Sequence, residues 1–439
     1  MTIDKPQETS GGVGRERAGY ARLFRIAEFR VVFIAHAASL FGVVVAEISL
    51  SVLVYGLTGS PLLSALTFTL GFLPYLVGGT LLSGIADRFP ARRVLVGCDL
   101  VCAGCAALMA LPVTSVGGLL ALRCVIALVS PVFNGTRMAT LTDVLGDGDL
   151  FVLGRSLLRI VSQSALLVGF GLGGVLLTVV SPRGALTITV VTFLCSATLL
   201  RLGTKARPAR EREGEQEGEG GEEQEGAKGG ALLRYSLAGA RQLLGHRRLR
   251  ALLLLLWVPP MFVIAPEALA AAYADEIGAG AAAVGFLMCS MAVGTVASEL
   301  AAGSLLSPSA RSRIALPLAS VTLLPLIGYA VTPGLPWAVV ILLLAGAGSA
   351  YTLGLDRWFV DAVPEELRGR AMTLHNAGLM TIQGVGTALA GAAAEVLDVS
   401  TVVAGAGVVG GLCCAALALE VRASARAEGP KAETGLTAI

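Results

Sequence analysis

The sequence predicts an all-α membrane protein of about twelve spanning helices in two pseudo-symmetric six-helix bundles. Three observations carry that expectation. Of the 439 residues, 55% are apolar and only 15% are charged, with a mean hydropathy of +0.77, which leaves too little polar surface to coat a water-soluble globule of this size. The apolar residues gather into runs of roughly 20, the length needed to cross the hydrocarbon when each backbone polar group is satisfied within its own helix. Lys and Arg recur in alternate turns.

In chain order, spans are expected at 31–57, 62–86, 94–113, 117–133, 153–180 and 185–202, then at 251–273, 281–306, 314–331, 337–355, 371–396 and 401–421. The fourth is expected to break at Pro131, and the seventh at Pro259, Pro260 and Pro266, because proline removes a helix hydrogen bond and clashes with the preceding turn. Residues 31–202 and 251–421 form the two bundles, flanked by an N-terminal segment, 1–30, and a tail, 422–439. The N-terminal segment lacks the apolar core of a removable signal peptide, so the first span is expected to act as its own signal.

Residues 203–250 form an acidic linker. Glu211, Glu213, Glu215, Glu217, Glu219, Glu222, Glu223 and Glu225 stand among glycines and glutamines, a composition that cannot bury enough surface to fold. A solvated tether and a regulatory contact both fit it. Arg247, Arg248 and Arg250 after it are placed to meet anionic lipid headgroups.

All but Arg123 and Arg183 of the 33 basic residues are assigned to the termini and the even-numbered turns. Positive charge stays on the cytoplasmic side during insertion, so both termini and the linker are expected there, in an inner or plasma membrane. The eight cysteines all fall in predicted spans, where cysteine packs as a small hydrophobe, and no His/Cys spacing suggests a metal.

The two halves echo one another. Gly154-Arg155 precedes the Gly169, Gly171, Gly173, Gly174 run of the fifth span, and Gly369-Arg370 precedes Gly384, Gly386 and Gly391 of the eleventh at the same offset. Between the second and third spans, residues 83–93 read Ser-Gly-Ile-Ala-Asp-Arg-Phe-Pro-Ala-Arg-Arg. Together these features resemble the major facilitator superfamily. Leu23-Phe24-Arg25, Phe29-Arg30, the 57–61 turn and residues 364–371 look most like its drug:proton antiporters related to macrolide exporters. Several positions depart from the pattern. Ser83 and Pro90 stand where the loop's family glycines are expected, Ala91 replaces a basic residue, Phe170 replaces a proline, and Ile126 and Ala127 differ from the residues that usually come after the membrane arginine.

The resemblance implies a latch at the cytoplasmic ends, with Gly84, Asp87, Arg88, Arg92 and Arg93 facing the start of the eleventh helix around Arg370. Physically, a carboxylate at a helix boundary can pair with guanidinium groups or with a helix N-terminus. The same arginines also suffice as plain topological anchors. Within the spans, ionisable groups are costly unless paired, neutral or wet; those identified are Glu47, Arg123, Glu267 and Glu299. Glu47 lies about ten residues from the outer end of its span and Arg123 about six from its own, depths that agree within roughly 6 Å. The pair is expected to serve either as the proton-coupling element or as a permanent ion pair that fixes packing. Phe41, Tyr75, Trp257, Glu267, Glu299, His375, Asn376 and Gln383 are candidates for lining a substrate cavity.

No P-loop, Ser/His/Asp arrangement or metal set is legible, so neither enzymatic activity nor a cofactor or metal is expected. The function expected is proton-coupled efflux of a small hydrophobic or amphipathic compound by a monomer, with protons and the bilayer as its other partners and no nucleic acid. An uptake carrier for a metabolite or siderophore, and a membrane sensor or scaffold, remain as alternatives.

Overall fold

The computed structural model describes residues 23–81, 89–146, 149–207, 245–363 and 368–428. Among them there are helices and connecting turns and no strand. The first bundle holds α1 (Ala27–Thr58), α2 (Pro61–Leu81), α3 (Ala91–Ala110), α4 (Val116–Leu145), α5 (Asp149–Val179) and α6 (Pro182–Gly203). The second holds α7 (Arg247–Val263), α8 (Ala281–Leu305), α9 (Pro308–Val321), α10 (Leu335–Ala347), α11 (Arg368–Ala393) and α12 (Val399–Glu428). Short pieces continue three of these spans: Ala265–Ala268 and Ala270–Glu276 after α7, the 3-10 stretch Leu324–Val331 after α9, and Gly348–Tyr351 with Thr352–Ala362 after α10.

Ten described helices are long and apolar enough to cross a membrane. α11 falls outside that set because Asn376, Gln383 and several glycines dilute its hydropathy, and the side chains of α2 are described only over the apolar stretch Pro61–Pro74. Large apolar side chains such as Ile34, Leu172, Leu300, Leu344 and Leu412 point outward, which a bilayer tolerates and water does not. The chain is a multi-pass membrane protein.

Local chemistry sets the turns. Ser115, Ser181 and Ser307 cap α4, α6 and α9 by accepting from the amides of Gly118, Gly184 and Ala310, and proline follows the latter two caps at the first helical position. Gly59 ends α1 at φ +64°, a left-handed conformation glycine adopts without cost.

Two expectations need correction. Pro131 does not break the fourth span, which continues to Leu145; surrounding helices hold such a residue in place. Arg137 is therefore buried on a helix instead of lying in a turn, and Arg155 and Arg159 also sit on helix α5. By contrast, Pro259, Pro260 and Pro266 accompany a real interruption at Ile264. α7 starts at Arg247, ahead of 251, and α12 runs past 421 to Glu428.

We call the face where α1 begins and α12 ends the tail face, and its opposite the far face. Bidentate pairs fix both margins of the linker at the tail face: Arg207 to Glu28 of α1, at 2.7 and 2.9 Å, and Arg247 to Glu420 of α12, at 2.6 and 3.0 Å. The Glu28 contact raises the Arg207 guanidinium above its already high pKa, chiefly through the hydrogen bond.

The bundles meet along α2 with α11 and α5 with α8. Toward the far face the contact is intimate. Thr69 and Thr387 share a hydrogen bond at 2.7 Å, Tyr55 donates to Asp275 at 3.2 Å, and Glu395 accepts from the Ser60 hydroxyl and, at 3.1 Å, from the Leu62 amide. Those two donors, Ser60 first, hold the exposed Glu395 carboxyl below the usual carboxylate range. Gly174 and Gly285 touch backbone to backbone: a Cβ on Gly174 would lie 2.5 Å from the Gly285 Cα, closer than any packed helix pair allows.

Candidate functional site

A cavity of about 740 Å³ lies between the bundles, lined by residues of both. Its central polar feature is the salt bridge from Arg123 Nη2 to Glu47 Oε1 at 2.8 Å, with side chains 11% and 16% exposed. Arg123 Nε donates to the Thr67 carbonyl at 3.2 Å, an α2 acceptor of the kind that buried guanidinium groups need. Gly71 makes the room: a Cβ there would stand 2.2 Å from Arg123 Nη2. The glycine on α2, the arginine on α4 and the glutamate on α1 therefore form one packed unit.

Glu267, from the short piece after α7, lines the same cavity from the second bundle, as does Gln383 of α11. Asp99 of α3, only 2% exposed, also lines it, accepting from Ser196 at 2.6 Å and from Ser39 at 3.3 Å. Toward the tail face the wall carries His36, whose Nε2 lies 3.2 Å from the Ser162 hydroxyl, and Asn134 with Arg137. Aromatic surface comes from Phe68, Phe72, Phe133, Phe170 and Phe193.

The structure thus brings Glu47, Arg123, Glu267 and Gln383 to one cavity. Phe41, Trp257, Glu299, His375 and Asn376 lie outside its lining. Phe41 and Trp257 pack against the large apolar core, and Trp257 Nε1 donates to the His375 carbonyl at 3.1 Å. This leaves its ring fixed against Gly378, where a Cβ would meet it at 2.2 Å. The His375 ring lies 6.0 Å from that of Phe359. Asn376 is exposed, Glu299 is half-buried, and neither lines the cavity. Tyr75 and Arg370 stand on α2 and α11, with their side chains outside the described residues.

Gly84, Asp87 and Arg88 also lie outside the described residues. Arg92 donates to the Thr204 carbonyl at 3.4 Å, within its own bundle, and Arg93 is exposed.

Sequence reasoning missed Asp99 and Arg137. Asp99 sits in an otherwise apolar, cysteine-rich stretch, and its isolation there was the signal. Arg137 was lost with the wrong end of the fourth helix, since an arginine assigned to a turn raises no question.

The model of the Major Facilitator Superfamily matches residues 32–355 and, in a second match, 260–438. No curated protein matches the sequence. Among solved structures, the nucleoside transporter NupG is similar over 91% of this chain and 99% of its own, with a TM-score of 0.67 at 12% identity. The peptide transporter POT in complex with sulfate covers 94% and 97%, with a TM-score of 0.64 at 14% identity. A bacterial homologue of the human lysosomal transporter Spinster, inward-facing and unoccupied, covers 92% and 96%, with a TM-score of 0.61 at 15% identity. At these identities the likeness is one of fold.

Proposed function

This chain belongs to the Major Facilitator Superfamily, and from that premise we propose that it is a proton-coupled exporter of a small hydrophobic or amphipathic compound, working by alternating access. The observation that carries the reading is the Glu47–Arg123 pair in the wall of a cavity bounded by both bundles. A carboxylate there can take up a proton and release its arginine only where water and substrate reach it, which is the minimum a coupled carrier needs. Apolar and aromatic lining with few polar groups suits amphipathic cargo.

The export direction is taken from the resemblance to drug:proton antiporters. The positive-inside distribution supports a cytoplasmic tail face, and the bundles are joined at the opposite face by Thr69–Thr387, Glu395 and the two glycines. In this reading the cavity takes substrate from the cytoplasm or the inner leaflet, and protonation of Glu47 accompanies the return from the outward-facing state. The test is expression in an efflux-deficient plasma-membrane host, screened against a compound panel with and without a proton uncoupler. Export that stops with the uncoupler and with Glu47→Gln supports the reading; accumulation inside expressing cells contradicts it.

Asp87 belongs to the same proposal as a latch that holds the cytoplasmic ends together when the far face opens. The motif around it and the basic residues Arg88, Arg92 and Arg93 support that role. Asp87→Asn, with surface abundance measured, is expected to lower transport by on the order of tenfold, the weight of one charge-assisted hydrogen bond. Wild-type transport at wild-type abundance would leave the loop a topological anchor.

A further inference from the structure

The tail-side part of the cavity wall holds a cation with two donor groups unpaired among the described residues. Arg137 of α4 is 4% exposed and lines the cavity. Its Nη2 donates to Asn134 Oδ1, and its guanidinium carbon stands 4.7 Å from the centre of the Phe133 ring. Nε and Nη1 are buried and have no hydrogen-bond partner among the described residues. A guanidinium stays charged at any working pH, and a buried charge with unpaired donors is among the costliest arrangements a fold can keep.

The carboxylates of the cavity are arranged so as not to relieve it. Glu47 is held by Arg123, Asp99 accepts from Ser39 and Ser196, and Glu267 stands on the second bundle. His36 shares the tail-side wall, and its buried Nδ1 likewise lacks a partner among the described residues. Its distance along α1 from Ala27 and that of Arg137 along α4 from Leu145 agree within about 2 Å, at 1.5 Å rise per residue. A guanidinium with two unused donor groups, beside an aromatic face and with an imidazole at the same depth, describes a subsite for a planar oxyanion attached to apolar substance.

We propose that this part of the cavity is an anion subsite in which Arg137 binds a carboxylate-class group of the cargo, so that the transported compound is an amphipathic organic acid. The inference rests on reading the cavity as the substrate site. It asks something narrower than coupled transport: which charge the ligand carries. Glu267 on the opposite bundle leaves room for the same molecule to bear an amine, but the carboxylate is what the orphaned donors require.

Binding to purified protein in nanodiscs tests it without any gradient. Dansyl-phenylalanine, naphthoate and indole-3-acetate are each titrated against the matching uncharged amide, with acetate and chloride as competitors. Wild-type protein is expected to bind at least one acid more tightly than its amide by on the order of tenfold, the weight of one charge-assisted hydrogen bond. Arg137→Gln is expected to erase the preference while leaving amide binding in place, and Arg137→Lys to keep part of it. If the Gln variant fails to fold, the acid-against-amide comparison in wild type and the Lys variant decides.

Equal binding of acids and amides by the wild type, no binding of any acid, or a preference that survives Arg137→Gln would each overturn the proposal. So would displacement by acetate or chloride as effective as by the aromatic acids, which would make the site one for small anions. Loss of coupled export in Glu47→Gln tests the transport reading separately, so the two can fail independently.

Discussion

Arg123→Ala is expected to destabilise the protein by about 3–5 kcal/mol, the cost of leaving one member of a buried ion pair without its partner. The geometry makes the loss concrete. Glu47 keeps its place on α1 but loses the guanidinium that neutralises it, the Thr67 carbonyl loses its donor, and the space that Gly71 leaves for the guanidinium becomes a void. With the two side chains only 11% and 16% exposed, little water is at hand to compensate.

Replacing both members should restore most of the loss, because two neutral polar groups of similar shape leave no uncompensated charge. Thermal melting of wild type, Arg123→Gln, Glu47→Gln and the Glu47→Gln/Arg123→Gln double variant forms the cycle that measures the coupling, with Arg123→Ala melted alongside. A melting midpoint for Arg123→Ala equal to wild type would mean that the pair is wet and loosely held, and that Arg123 has no part in placing Glu47.

Gly285→Val is the second large effect expected. A Cβ at 285 would lie 2.4 Å from the Gly174 Cα and 2.7 Å from the Phe170 carbonyl oxygen. Both are backbone atoms that no rotamer change can move aside. α5 and α8 must therefore separate, leaving the far face held by the α2–α11 seam with Thr69–Thr387, by Tyr55–Asp275 and by Glu395. The closed arrangement of the far face should be disfavoured, opening that face to water, while each bundle still folds. Cysteines introduced on the far-face margin are expected to react with a membrane-impermeant thiol reagent on the order of tenfold faster than in the wild-type background, the shift that about 1.4 kcal/mol produces. Unchanged reactivity with normal abundance would show that the glycine contact does not govern closure.

Hydropathy and charge placement made the fold legible, because a bilayer leaves few solutions for an apolar chain. The fifth-helix glycines were also legible, and their purposes became concrete only in three dimensions: Gly169 packs on Val44, Gly173 on Ile48 and Gly174 on Gly285. The meeting of Glu47 with Arg123 could be read because depth along a helix is linear in sequence. Which way a side chain points around its helix is not, so Phe41, Trp257 and Asn376 were candidates on composition and lie outside the cavity. Phe68, Phe72 and Phe170 fill that role instead.

Arg137 was hidden for a different reason. Proline is a strong breaker in water, but neighbouring spans keep the helix intact past Pro131 and carry the arginine inside. Asp99 was passed over among cysteines and leucines, although an acid in such a stretch is costly enough to mark itself.

Reconstituted vesicles carrying an imposed pH gradient give the most direct measurement of the central claim, that a proton on Glu47 drives movement of solute through the space between the bundles. With a compound found by the export screen, wild-type protein should move solute against its concentration in response to the gradient. Glu47→Gln should lose that response while still exchanging labelled for unlabelled solute across the membrane. Gradient-driven uptake by Glu47→Gln at the wild-type rate would contradict the account.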